Sequence, residues 1–457
     1  MKKIFLTLLL LLFVPRLVLP QNTDSLVIQS IFSEALTNNA AYDQLQYLCE
    51  NTAGRMTGTP QAAKAVEFTK QVLETMNLDT TYLQPVQVPH WVKGDTETAS
   101  VQSAIVGFHD VTVCALGYSI GTGINGIRGN IIEVNELGLL EKLGKKNLQG
   151  KIVFLNRPMD RTKINPMAAY SGAADQRVHG AAEAAKYGAI GVVVRSLTTS
   201  QDDFPHTGVM RYQDGVTKIP AIAISTNDAE RLHQWLTIDA NLLFYMRTTC
   251  TLLPDATSYN VIGEIRGTEH PDEIIVVSGH LDAWFNTEGA HDDATGCVHA
   301  LETLRLLKAL HIQPKRTIRC VLFMDEEIWQ TGGNEYARIV GEKHEQHLVA
   351  IESDRGGLLP LGFTMDAPDN IVEKFAQFKS YFENVHIDRF EKGHGGVDIG
   401  PLKELGIPLV GFLPSTQRYF DYHHSANDTF EQVNVRELQL GSAAIASLVY
   451  LIDRYGL

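Results

Sequence analysis

In the final third of the chain, short apolar runs alternate with longer stretches whose apolar positions recur every three or four residues. The runs at 273–278, 317–324, 347–352 and 407–413 are rich in β-branched and other apolar residues and read as buried strands. Residues 297–311 set Val298, Leu301, Leu304 and Leu307 on one stripe, the pattern of a helix packed on a sheet. A longer apolar-rich helix is predicted over 435–452. This alternation predicts an α/β fold with a mostly parallel central sheet and helices on both faces. Nearer the start, 24–36 and 60–73 carry helical patterns, with Pro60 suited to a first helical turn, and 53–60 is a loop by its glycines and proline. The middle of the chain reads differently, with strands at 129–134, 150–155, 189–194 and 219–225 and helices at 181–187 and 228–236. It predicts a β-rich insertion over 118–248, which leaves 21–117 and 249–457 as two parts of one main domain.

The first residues change the picture of where the protein works. Lys2 and Lys3 precede a run over 4–14 that is apolar apart from Thr7. That run is too short to span a bilayer and predicts an export signal over 1–20, cut near Gln21. The first cysteine is Cys49, which argues against a lipid-anchored start, and no later stretch approaches the ~20 apolar residues of a membrane helix. The expectation is a secreted or periplasmic protein without a membrane anchor. A formal charge of -14 argues against a nucleic-acid partner, because phosphate binding needs a basic surface. The five cysteines are scattered, so stability rests on the core; they leave room for one disulfide without assigning it, and Cys320 is expected to be a buried thiol.

Candidate chemistry follows the strands. His280-Leu281-Asp282 ends one, and the loop after it carries Asp292-Asp293. The next strands are followed by Asp325-Glu326-Glu327, by Ser353-Asp354 and by Tyr422-His423-His424. In open α/β sheets, sites form outside the carboxyl ends of strands. Each group alone has a plainer reading, as a surface turn, a solvated strand end, a helix cap or an exposed pair. Five in succession at strand ends point to one site. Histidine nitrogen and carboxylate oxygen suit zinc, and two ions sharing a carboxylate need about five protein ligands. The candidates are His280, Asp292, Glu327, Asp354 and His424, with Glu326 placed to act as general base and Asp282 to hold the other ring nitrogen of His280. His394, on a glycine-rich loop, His206, from the insertion, and Tyr422 are candidates for substrate contact. His291 is expected to be exposed, and His299 to be a packed or solvated helix residue.

With these residues in place, the ordered set resembles the co-catalytic zinc exopeptidases that include bacterial secreted aminopeptidases. The resemblance rests on His280-Leu281-Asp282, the segment 289–296, Asp325-Glu326-Glu327, Glu352-Ser353-Asp354 and the segment 424–429. The loop 54–59 and an insertion similar to a protease-associated domain, including Pro205-His206-Thr207-Gly208, place it nearest a carboxypeptidase branch. The resemblance implies two zinc ions per chain, one on His280 and Asp354 and one on Glu327 and His424, with Asp292 bridging and Glu326 as base. It also implies a cis peptide after Asp292, a dipeptide or short-peptide substrate, and a homodimer. His424 is preferred to His423 because the related pattern runs His, three residues, Asp-Thr. The segment 284–288 departs from that pattern, which bears on substrate preference. Two other readings keep the fold: a single-zinc cyclase of N-terminal glutamine, and a binding protein with an inactive site.

Overall fold

The Ile274-Ile275-Val276-Val277 run sits at the centre of the molecule because both of its faces are covered. In this computed structural model, which describes residues 23–457, Ile275 and Val277 join one apolar cluster and Ile274 and Val276 join another on the opposite face. The export signal read at 1–20 lies outside the described residues. In chain order the strands are β1 (Thr80–Val92), β2 (Glu97–Ser103), β3 (Gly107–Val111), β4 (Val113–Ala115), β5 (Ile127–Val134), β6 (Ile152–Leu155), β7 (Gly191–Arg195) and β8 (Ala221–Ile224). They continue with β9 (Leu243–Thr248), β10 (Thr251–Ile265), β11 (His270–His280), β12 (Arg316–Phe323), β13 (Gln346–Glu352), β14 (Pro360–Asp366), β15 (Arg389–Lys392) and β16 (Leu409–Pro414).

The main sheet runs β1-β10-β12-β11-β13-β16-β14-β15. Its centre, β12-β11-β13-β16, is parallel, whereas β1, β10 and β14 pair antiparallel with their inner neighbours. The sheet is therefore mixed, with the expected parallel order confined to the strands that carry the site. The Thr23–Thr37, Ala40–Thr52, Pro60–Thr75, Thr295–Ala309 and Val435–Tyr455 helices cover one face, and the Thr331–Lys343 helix covers the other. Local signals set helix ends: the Thr59 side chain accepts from the Ala62 N–H before Pro60, and Asn434 accepts from the Arg436 and Glu437 N–H groups. Val435–Tyr455, a 21-residue helix whose most apolar 18-residue window has mean hydropathy 1.3, is long and apolar enough to cross a membrane, but 72% of that window is buried inside the protein. The sequence reading of no such later stretch thus gives way to a core helix, apolar because it packs against the Thr295–Ala309 and Thr23–Thr37 helices.

The second sheet runs β3-β2-β9-β5-β6-β7-β8-β4. Its strands span Glu97 to Thr248, so β2, β3 and β4 precede residue 118, where the sequence placed the start of the insertion. The antiparallel ribbon β1–β10 leads from one sheet to the other. All five cysteines are buried free thiols, Cys320 among them, so no disulfide staples the described residues.

His299, on the Thr295–Ala309 helix, is fully buried, with Nδ1 2.9 Å from the Ser353 hydroxyl. Burial pushes its pKa from 6.5 down to about 3. Below about pH 6.5 the unfolded chain takes up a proton here that the folded chain refuses. Stability from this residue is therefore complete above that pH and is lost as pH falls toward the folded value. The slope is at most about 1.4 kcal/mol per pH unit. Urea unfolding of His299→Gln at pH 6.5 and pH 5 is expected to show that much less acid sensitivity than the parent; an unchanged slope would contradict a neutral buried imidazole.

Candidate metal centre

The four parallel strands end side by side, and their carboxyl ends present the candidate residues. His280 is the last residue of β11, and the Leu281 N–H donates to the Phe323 carbonyl on β12 at 2.6 Å. Beyond β12 the chain turns at Asp325, whose φ is +72°. The Asp282 carboxylate fixes that turn by accepting from the backbone N–H groups of Asp325, Glu326 and Glu327 at 2.8, 3.1 and 3.3 Å. Asp282 was expected to hold the other ring nitrogen of His280, and its backbone carbonyl lies 3.1 Å from His280 Nδ1, with its carboxylate at 3.8 Å.

Asp292 stands between two groups. Its Oδ1 lies 3.1 Å from His280 Nε2, which is 3.5 Å from Asp354 Oδ1. Its Oδ2 lies 3.3 Å from His424 Nε2, which is 3.1 Å from Glu327 Oε2. Donors arranged tetrahedrally around an ion at 2.0–2.1 Å sit about 3.3 Å apart, so these spacings match shared cations. His423 Nε2 is farther from Asp292, at 3.8 Å, with its ring stacked on His424 at 3.5 Å between centroids. Ligand-atom clustering alone also groups His423 with Asp292 and His424; the shorter contacts favour Glu327 as the partner of His424.

The electrostatics call for positive charge. Asp292 Oδ2 and Glu327 Oε1 are buried without a hydrogen-bond partner among the described residues. Burial alone would lower the pKa of His424, yet Glu327 and Asp292 push it up to about 10. Desolvation, with Asp354 and Glu327 adding to it, pushes Glu326 well above the ordinary carboxylate range. Buried carboxylates this crowded are neutralised by protons or by bound cations, and the donor types in both groups are those zinc accepts.

The loop carrying Asp292 is held from three sides. Arg55, fully buried, donates from Nε to the Leu281 carbonyl at 2.7 Å, from Nη2 to the Gly289 carbonyl at 2.8 Å, and from Nη1 to the Glu288 carbonyl. Asp428 accepts from the His291 and Asp292 N–H groups at 2.7 and 3.1 Å. Asp293 accepts from the His280 N–H and the Gly296 N–H, both at 3.0 Å. The Asp292–Asp293 peptide is cis. Sequence reasoning gave none of these three a positioning role. Because outer partners of metal ligands commonly govern 10–100-fold in affinity, Arg55→Met is expected to weaken zinc binding by about that factor in a chelator competition. Unchanged affinity would count against the role.

A family model described as peptidase family M28 matches residues 260–449. Carboxypeptidase Q from Bos taurus is 31% identical over 94% of this chain and 88% of that relative. A crystal structure of a peptidase M28 precursor from Shewanella amazonensis superposes with a TM-score of 0.89 at 31% identity, covering 94% of this chain and 96% of that one. The chain belongs to peptidase family M28. A zinc aminopeptidase from Bacillus subtilis, 21% identical with a TM-score of 0.66 over 90% of this chain and 94% of that one, shares the M28 fold.

In this M28 chain a cavity of about 210 Å³ opens over the cluster, lined by Asp292, Glu326, Glu327, Asp354, His423 and His424 among others. Arg177 and Arg211, from the second-sheet unit, also line it, and neither has a carboxylate within ion-pair distance among the described residues. The sequence did not single them out, because only the fold brings them here. His394 lines a neighbouring cavity of about 560 Å³ that shares Asp354 with the first. Tyr422 does not line the site: its ring stacks on His291 at 4.8 Å, its hydroxyl meets Arg418, and Tyr419 lines the cavity instead. His291 is completely buried, which corrects its expected exposure. His206 is buried and contacts the His423 carbonyl rather than the cavity. In the divergent segment 284–288, Asn286 donates to the His424 carbonyl at 3.3 Å and Thr287 to the Asp428 carbonyl at 2.9 Å, so that segment supports the ligand loops.

Proposed function

We propose that this M28 peptidase is an exported dizinc exopeptidase that hydrolyses terminal peptide bonds of dipeptides or short peptides. The carrying observation is Asp292, whose two oxygens each meet a separate histidine–carboxylate pair. His280 and Asp354 would hold one zinc, Glu327 and His424 the other, and Asp292 would bridge them. When bound, such a pair polarises a carbonyl oxygen and acidifies water. Glu326, on the turn fixed by Asp282, takes the proton from the attacking water and returns it to the leaving amine. Arg177 and Arg211 are suited to a substrate carboxylate, because guanidinium groups pair with carboxylates through two parallel bonds. The export signal read at 1–20 supports an activity outside the cytoplasm, secreted or periplasmic, and a homodimer is part of the reading through the family resemblance. A complete second ligand pair, Glu327 with His424, favours two ions over the single-zinc cyclase.

The test is zinc content per chain together with hydrolysis of unblocked, N-blocked and C-amidated dipeptides by the purified protein. About two zinc ions and cleavage of unblocked dipeptides support the reading, and loss on blocking one end identifies the terminus recognised. One ion without hydrolysis would overturn it in favour of the cyclase, and no metal without hydrolysis in favour of a binding protein.

A further inference from the structure

The segment His206-Thr207-Gly208 lies far from every metal ligand in sequence and belongs to the second-sheet unit, yet it closes on the ligand turn at 423–424. The Thr207 N–H donates to the His424 carbonyl at 2.9 Å, and the Thr207 carbonyl lies 3.3 Å from His424 Nδ1. One residue earlier, His206 Nδ1 lies 2.6 Å from the His423 carbonyl. An acceptor at Nδ1 puts the proton of a neutral imidazole on that nitrogen and leaves Nε2 free as a donor to metal. Nε2 is the His424 atom that meets Asp292 and Glu327.

The clasp is anchored within its own unit. The His206 N–H donates to the Ser196 hydroxyl at 2.8 Å, and the Thr207 hydroxyl donates to the Ala115 carbonyl at 2.7 Å. His206 and Thr207 are buried, at 2% and 0% exposure, so their contacts do not compete with bulk water. Gly208 has a φ of +133°, and a Cβ there would stand 2.4 Å from the Arg177 guanidinium, so the close approach depends on a glycine. On the other side of the cluster, His280 takes its Nδ1 partner from Asp282 of its own sheet. The two ligand pairs therefore differ in what orients them.

We propose that the inserted unit is a positioning element for one metal site only. Through His206 and Thr207 it sets the ring orientation and tautomer of His424, so the ion held by Glu327 and His424 depends on the clasp, and the ion held by His280 and Asp354 does not. His206 is a positioning residue acting through the 423–424 turn. This rests on the dizinc reading above.

The experiment is zinc affinity by chelator competition on the full-length protein, resolving two equivalents, for the parent, His206→Ala and His206→Asn, with melting temperature recorded alongside. The parent is expected to hold two tight equivalents. His206→Ala should keep one at parental affinity and weaken the other by about 10–100-fold. His206→Asn, whose amide can donate to the same carbonyl, should restore part of that loss. Equal weakening of both equivalents in step with the melting temperature would show a merely structural role and overturn the proposal, as would two unchanged equivalents in His206→Ala. Should that variant fail to fold, Thr207→Pro, which removes the N–H donated to His424, carries the same asymmetric expectation. A parent that binds fewer than two zinc ions would instead overturn the dizinc reading and this inference with it.

Discussion

Glu326→Gln is expected to lower kcat by about 10³–10⁴-fold while leaving zinc content and melting temperature at parental values. General acid–base groups contribute about 10²–10⁴-fold, and no other carboxylate at the cavity is free to replace this one. Asp292, Glu327 and Asp354 face histidine nitrogens in the ligand clusters, and Asp282 is committed to backbone N–H groups. Glutamine keeps the shape of the side chain and the N–H that Asp282 holds at 3.1 Å, so the turn should persist. It also removes a desolvated acid from beside Asp354 and Glu327, which should not reduce stability. Steady-state kinetics with metal analysis separates the outcomes: activity within tenfold of the parent would remove Glu326 from the proton-transfer role, and lost zinc would make it a ligand.

Asp292→Ala should abolish both metal binding and turnover. Without the bridging carboxylate, each remaining pair, His280 with Asp354 and Glu327 with His424, offers only two side chains to an ion. Catalytic zinc sites use three protein ligands as a rule. The Asp292 N–H, held by Asp428, is unaffected by the change, so the loop should keep its course and the effect should be on metal. Metal analysis after dialysis is expected to find less than one zinc per chain; two retained ions would refute the bridge.

The parts of this arrangement that were legible in the sequence share a physical cause. β11, β12, β13 and β16 are largely buried on both faces toward their carboxyl ends, so they read as apolar runs that located the candidate residues at and after them. β1 and β10 escaped notice because much of their surface is exposed or half-buried and their sequences mix polar with apolar residues. β3 escaped notice for a similar reason, since it is almost wholly exposed and carries little apolar signal. Arg55 was invisible as a structural centre because its partners are the backbone carbonyls of 281, 288 and 289, which no sequence pattern encodes. His291 was misjudged because its neighbours, among them the stacked Tyr422 ring, come together only in the fold. Arg177 and Arg211 reach the cavity only through the docking of one sheet against the other.

Crystals of the zinc-loaded protein, with anomalous difference maps on both sides of the zinc edge, test the dizinc account most directly. The expected result is two edge-dependent peaks ~3.5–4 Å apart, one between His280 and Asp354 and one between Glu327 and His424, with an Asp292 oxygen on each. A single peak, or two peaks that do not share Asp292, would contradict it.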